Sequence, residues 1–152
     1  MQFPNLPVDD NPEPGVSFFF EDVTFAFPNP EQLIAWMLSI ARQEQKETGE
    51  ISVVFCSDEY LRQVNIEHLQ HDYYTDIITF QYTEGVVHGD IFISSDRVAE
   101  NAEVHGVSFQ HELSRVLAHG VLHLAGYADK TPEAQLLMRA KENYYLDQLD
   151  AA

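Results

Sequence analysis

The segment FQHELSRVLAHGVLHLAGYAD (residues 109–129) is the most apolar helix-forming stretch of the chain, and it decides both the fold and the chemistry. His119 and His123 stand four residues apart in it, so both side chains fall on one face of a helix. Gly126 follows three residues later, and glycine adopts the left-handed conformation that reverses a chain after a helix. Such a reversal would bring Asp129 to the two imidazoles.

Two imidazole nitrogens and one carboxylate oxygen are typical of a catalytic zinc site, because the fourth tetrahedral position stays open. Zinc held in this way lowers the pKa of bound water towards neutrality. Chance would produce the spacing His-x3-His-x2-Gly-x2-[His/Asp] in roughly two of a thousand chains of this composition. We therefore predict one zinc ion per chain, bound by His119, His123 and Asp129. The alternative is two ordinary polar histidines on a half-buried helix.

The residue after the first histidine separates this chain from the zinc peptidases of similar spacing. Those enzymes carry glutamate there as the general base, whereas this chain has Gly120. Glycine in mid-helix costs roughly 1 kcal/mol relative to alanine. Two explanations stay open: space beside the metal for a bulky substrate, or close packing of the helix.

Strand and helix signals outside this segment predict an α+β fold with a small sheet. In order, the predicted elements are a bent strand or strand pair at 16–27, a helix from Asn29–Pro30 to Thr48–Gly49, a strand at 51–56, a helix from a Ser57 or Asp58 cap to about 68, strands at 75–82 and 86–94, a helix at 96–104, the Ser108-capped histidine helix, and a helix from Thr131–Pro132 to about 149. No interior linker is visible. We expect a loose, acidic, proline-rich lead-in at 1–15 and a single catalytic domain at 16–152.

Composition excludes several classes of protein. The chain has 152 residues, 45% of them hydrophobic, which suits one domain with a core and excludes disorder. Its net charge of −17 disfavours a non-specific nucleic-acid clamp and acidic membranes. Cys56 is the only cysteine, which fits a reducing cytosol. No apolar run nears the ~20 residues that span a bilayer, and the N terminus does not resemble a signal peptide.

Several pieces of the sequence, in order, resemble the YbeY family of bacterial zinc-dependent ribosomal RNA maturation factors. They are His119–Tyr127, similar to the family's His-Gly-x-Leu-His-Leu-x-Gly-Tyr signature; Asn65 with Thr75–Phe80, similar to its Asn…Pro-Thr-Asp-Val-Leu-Ser-Phe stretch; Gly89-Asp90-Ile91 with Ile93-Ser94; and Glu112. The resemblance covers about residues 50–142.

This resemblance implies a zincin-like α+β fold with a mixed sheet and the metal site on a central helix. It implies a single-strand-specific endoribonuclease that matures the 3′ end of small-subunit ribosomal RNA and serves ribosome quality control. It also implies cytoplasmic action with small-subunit particles and with ribosomal or assembly proteins.

Two positions depart from the family pattern. Asp129 stands where the family has its third histidine ligand, and a carboxylate is an acceptable zinc ligand. Leu69 stands where the family has an arginine thought to bind or cleave RNA. Arg62 and Arg97 are the candidate replacements for that cation.

Arg115 and Glu112 are the candidate catalytic residues. Arg115 lies four residues before His119 and could stabilise a phosphate near the metal, or could form an ion pair with Glu112 or another acid. Glu112, with His111, could orient a ligand imidazole, or could be a solvated helix acid.

The negative charge opposes binding of bare RNA. Either a local groove is positive, or, as we favour, the protein docks on basic ribosomal proteins around its RNA. The first alternative function is a non-catalytic ribosome assembly factor with a structural metal site. A metallopeptidase is the second, and Gly120 disfavours it.

Overall fold

A computed structural model describes residues 15–151. Five helices and four strands follow one another in this range: β1 (Gly15–Phe20), α1 (Pro30–Gln43), β2 (Glu47–Cys56), α2 (Asp58–Leu69), β3 (Ile77–Gln81), β4 (Val86–Ser94), α3 (Ser95–His105), α4 (Phe109–Leu124) and α5 (Pro132–Ala151). The predicted lead-in falls outside the described residues except for Gly15, which begins β1.

The four strands form one mixed sheet in the order β1-β2-β4-β3. Strands β1, β2 and β4 run parallel, and β3 returns antiparallel to β4 as a hairpin. This arrangement confirms the predicted α+β fold with a small mixed sheet.

Helix α4 packs on one face of the sheet and forms the centre of the core. Ile91 and Ile93 of β4, with Leu117 and Val121 of α4, are completely buried in that layer. A Cβ atom on Gly120 would lie 3.0 Å from Ile91 Cδ1 and 3.1 Å from Ile77 Cδ1. Gly120 therefore faces the sheet, and close helix packing, not space beside the metal, explains this glycine.

The predicted N-caps of the helices were partly right. Ser57, Ser108 and Thr131 each accept a hydrogen bond from a backbone N–H at the start of their helix. Asn29 occupies the N-cap position of α1, but its side chain makes no capping hydrogen bond.

The predicted end of the first helix was wrong. Helix α1 ends at Gln43, the chain turns at Gln45 with φ 60°, and Thr48–Gly49 belong to β2. Pairing of Thr48 with Val87 extends β2 towards its start, and this long-range ladder is invisible to local sequence signals.

The predicted strand at 16–27 is a strand only as far as Phe20. Beyond it, the rings of Phe25 and Phe27 pack 4.9 Å and 5.4 Å from that of Phe55. Aromatic packing rather than strand pairing therefore holds this stretch. Within residues 15–151, no helix combines the length and the apolar character needed to cross a bilayer.

The close approach at Gly89 generates a test of the fold. A Cβ atom there would lie 1.9 Å from the carbonyl oxygen of Phe80 on the paired strand. We expect Gly89→Ala to lower the free energy of unfolding by about 3 kcal/mol or more, because the backbone must move. Gly15→Ala, whose Cβ meets nothing within 4 Å, is the matched control. Equal midpoints in urea denaturation of the two variants would contradict this reading of the hairpin.

Candidate metal centre

Two histidines of α4 and one aspartate beyond its end converge in space. Helix α4 stops at Leu124, and Gly126, with φ +107°, turns the chain back. The Asp129 Oδ2 atom then lies 3.3 Å from His119 Nε2 and 3.1 Å from His123 Nε2. The structure thus brings together the three residues that the spacing singled out.

The dimensions of this cluster fit a small divalent ion. One candidate ligand atom from each of the three residues lies within 4.8 Å of the others. Ligand atoms bound at 2.0–2.1 Å around a tetrahedral zinc ion are about 3.3 Å apart, close to the two separations from Asp129. The two nitrogens and one oxygen also have the chemistry that zinc accepts.

The second nitrogen of each imidazole is held by the protein. His119 Nδ1 lies 2.7 Å from Glu142 Oε2, and His123 Nδ1 lies 2.9 Å from the carbonyl oxygen of Tyr127. Since a carboxylate and a carbonyl accept hydrogen bonds, these contacts place the imidazole protons on Nδ1. The Nε2 lone pairs are left to face Asp129, an arrangement usual in histidine metal sites.

Glu142, on α5, performs the orienting role predicted for Glu112. Glu112 instead faces His105, with 3.5 Å between His105 Nδ1 and Glu112 Oε1. Glu142 is missing from the sequence-based candidates because it comes 23 residues after His119. One sequence signal could have found it: Met138, Glu142 and Tyr145 share the buried face of α5, and an acid on such a face needs a partner.

Arg115 completes a buried ionic network around Glu142. Its guanidinium donates to Glu142 Oε1 at 3.0 Å and to Asn143 Oδ1 at 2.9 Å. This is the predicted alternative of a pair with an acid other than Glu112, although Arg115 also lines the cleft beside the metal site.

This network shifts the pKa of Glu142 and the pKa of His119. Burial raises the pKa of Glu142, but the hydrogen bonds from His119 and Arg115 outweigh it and leave the pKa below its ordinary value. Burial lowers the pKa of His119, but Glu142, with the charges of Asp76 and Asp129, leaves it above its ordinary value. Each group of this contact therefore favours the charged form of the other.

The loop that carries Asp129 is anchored from a second direction. The Tyr127 hydroxyl donates to Glu44 at the end of α1, which also accepts from Lys141 Nζ at 3.1 Å and from the Tyr145 hydroxyl. On the other side, Gln81 Nε2 donates to the carbonyl oxygen of Leu124 at 2.9 Å. The carbonyl of Tyr127 that orients His123 is thereby tied to two other helices.

The candidate site lies in an open cleft of about 430 Å³. Its ionisable lining includes four carboxylates and two guanidinium groups: Asp76, Glu112, Asp129, Glu142, Arg115 and Arg139. Burial raises the pKa of Asp76, and the nearby charge of His119 only partly opposes this. Carboxylates outnumber guanidinium groups in this lining, so the cleft is acidic.

The two arginines considered as replacements at Leu69 are already engaged. Arg62 pairs with Glu59 and Asp72, each at 2.8 Å. Arg97 pairs with Asp58 at 2.7 Å. Both guanidinium groups also flank the exposed ring of Tyr74, at 5.7 Å and 5.5 Å from its centroid. Leu69 itself is 41% exposed at the end of α2.

Comparisons with known proteins agree on one family. The family described as "Endoribonuclease YbeY" matches residues 20–150. A protein of that name from Cytophaga hutchinsonii is 48% identical over 133 residues, covering 86% of this chain and 93% of its own. Its namesake from Flavobacterium johnsoniae is 46% identical over 129 residues, covering 84% and 92%. The solution structure of TM1509 from Thermotoga maritima superposes with a TM-score of 0.66 at 26% identity, covering 88% of each chain.

The contact between Glu142 and His119 predicts an effect on metal binding. Glu142→Gln removes the charge that strengthens the imidazole as a ligand, so we expect zinc affinity to fall about 10-fold or more. Competition with a chromophoric chelator measures it. Glu133→Gln, exposed on the first turn of the same helix, is the control. Unchanged affinity in the Glu142 variant would show that this carboxylate does not support the ligand.

The Tyr127 anchor predicts an effect on stability. Tyr127→Phe removes one donor from Glu44, whose side chain is only 8% exposed. We expect a loss of about 1.5–3 kcal/mol in unfolding free energy, the range for a hydrogen bond to a charged group. Tyr144→Phe, at a ring that is 55% exposed, should change stability little. Chemical denaturation of both variants measures the two unfolding free energies. Equal losses of free energy would show that the hydrogen bond from Tyr127 to Glu44 does not stabilise the fold.

Proposed function

The chain belongs to the YbeY family of endoribonucleases, and on this premise we propose that it is a zinc-dependent hydrolase of single-stranded RNA. Its proposed substrate is ribosomal RNA within small-subunit particles, where it processes the 3′ end and contributes to ribosome quality control. We place this activity in the cytoplasm and assign it to one catalytic domain, residues 16–152.

The convergence of His119, His123 and Asp129 in an open cleft is the observation that carries the proposal. These three residues would hold the zinc ion. When bound, zinc supplies Lewis-acid stabilisation of charge on a phosphate oxygen and activates water at neutral pH.

The chain's own groups prepare this centre. Glu142 and the Tyr127 carbonyl keep the imidazole protons on Nδ1, so the ligand atoms stay aimed at one point. Arg115, held by Glu142 and Asn143, places its guanidinium along the cleft one helical turn from His119. A guanidinium has five N–H donors, so its remaining donors can bind a phosphate oxygen.

Charge in the cleft supports an RNA substrate despite the protein's net −17. The two arginines and a divalent ion together balance the four carboxylates of the lining. Metal loading therefore removes the local repulsion of a phosphodiester. The acidic remainder of the surface suits docking on basic ribosomal or assembly proteins.

The two other functions are less well supported. Structural zinc sites are usually closed by four protein ligands, whereas the cluster found within residues 15–151 has three and faces a cleft. That geometry favours catalysis over a purely structural metal in an assembly factor. A peptidase would need a general base at Gly120, which instead packs against Ile91 and Ile77 of the sheet.

Metal content and cleavage test the proposal together. We expect about one zinc ion per wild-type chain and none in a folded His119→Ala/His123→Ala variant, because two of three ligands are lost. Wild type should cleave a single-stranded precursor of the small-subunit RNA 3′ end, and the variant should not. Asp129→His should retain zinc, since imidazole is also a ligand.

Three results would contradict this proposal. Zinc-loaded protein that binds particles without cleaving RNA would support the assembly factor. Casein digestion would support the peptidase. Absence of zinc from wild type purified without chelators would remove the proposed centre.

Docking through the acidic surface makes a separate prediction. At matched salt, cleavage of RNA in small-subunit precursor particles should be faster than cleavage of the same RNA deproteinised. The rates are compared at low and physiological ionic strength, because screening weakens repulsion of bare RNA. Comparable rates on both substrates would refute the docking role.

A further inference from the structure

We propose that Glu112, with His105, forms a second subsite of the metal cleft that accepts a hydrogen bond from a ribose 2′-hydroxyl of the bound RNA. The assignment rests on the proposed nuclease function. It concerns the nucleotide beside the phosphate at the metal centre, not that phosphate itself.

The Glu112 side chain is buried but only weakly paired. Glu112 and Glu142 line the same cleft, and their side chains are 5% and 6% exposed. Glu142 has donors at 2.7 Å and 3.0 Å. Within residues 15–151, the side-chain hydrogen bond found for Glu112 is the one with His105 Nδ1, at 3.5 Å. Charge-assisted hydrogen bonds are normally 2.7–2.9 Å long, so Glu112 has capacity for a further donor.

Glu112 also lies in the same cleft as the metal centre, at a distance from it that suits a neighbouring nucleotide. Glu112 lies seven residues before His119 on α4, which is two helical turns or about 10 Å along the axis. Asn101 and His105, one turn apart on α3, line the same cleft beside it. A strand of RNA whose phosphate reaches the metal centre would therefore present an adjoining nucleotide to Glu112.

Charge selects the kind of group that binds there. A carboxylate repels phosphate, and among the described residues 15–151 the metal-binding cluster found is His119, His123 and Asp129, which does not include Glu112 or His105. A neutral hydrogen-bond donor in the cleft can use the acceptor capacity that remains on the Glu112 carboxylate. The 2′-hydroxyl can donate to the carboxylate and also accept, and it is the group by which a protein distinguishes RNA from DNA.

Substitution in the enzyme and in the RNA together tests the contact. The RNA carries a single 2′-deoxy or 2′-fluoro nucleotide at each of the positions flanking the cleavage site in turn. Both changes remove the hydroxyl donor. The enzymes are wild type, Glu112→Met, Glu112→Gln and the exposed control Glu103→Met, each loaded with zinc, with metal content and melting temperature measured alongside.

We expect one flanking position at which either ribose change slows wild type about 10-fold, as for one hydrogen bond to a charged group. Glu112→Met should lose about as much on unmodified RNA and nothing more on RNA modified at that position. Glu112→Gln, which keeps an acceptor oxygen, should retain part of the discrimination, and Glu103→Met should behave as wild type.

Several results would overturn the assignment. If the rate loss from Glu112→Met and the rate loss from the ribose change multiply when the two are combined, the carboxylate and the 2′-hydroxyl do not contact each other. Sensitivity of wild type to base changes alone, lost in Glu112→Met, would assign the contact to a nucleobase N–H instead. Zinc-loaded wild type that cleaves no RNA would remove the proposed function, and this subsite with it.

Discussion

Packing of α4 against the sheet is the constraint on which the rest of the structure depends. One face of the helix is buried against β3 and β4, and it approaches so closely that a Cβ atom on Gly120 would press on the side chains of Ile91 and Ile77. An adjacent face of the helix lines the cleft, together with Ile77 and Thr79 of β3, and both histidines lie on it. Since the helix cannot rotate without burying polar groups or opening the core, the imidazoles are held where the returning loop delivers Asp129.

A second layer of polar contacts fixes the orientation of the imidazoles and of the loop that carries Asp129. Glu142 is buried between His119 and Arg115, and it carries a negative charge because both neighbours donate to it. Glu44 does the same for the loop through Tyr127. A buried carboxylate with one partner missing would be costly, so these networks hold the loop and α5 in a single arrangement. The orientation of the candidate ligands is therefore supported by contacts that lie outside the cluster itself.

The negative charge of the protein is compatible with an RNA substrate because of the charges inside the cleft, not because of those on the whole surface. The cleft has more carboxylates than arginines, so a divalent ion makes it compatible with phosphate. Arg62 and Arg97, the arginines considered as replacements at Leu69, form ion pairs with acids and flank the ring of Tyr74. Glu112 is one of the cleft carboxylates, and its weak pairing with His105 leaves it able to accept a hydrogen bond from a neutral donor.

The sequence by itself determined the α+β class, most element positions, the helix caps at Ser108 and Thr131, and the trio His119, His123 and Asp129. Each of these follows from local physics: helical periodicity, capping chemistry, glycine turns and the fixed spacing of ligands. Tertiary structure alone decided that Glu142 supports His119, that Glu44 anchors the loop, that Glu112 faces His105, and that Gly120 serves packing. Glu142 and Glu44 act across 23 and 83 residues of chain, and Gly120 meets strands far from it in sequence. Such contacts depend on how helices lie against the sheet, and no local pattern of residues records that geometry.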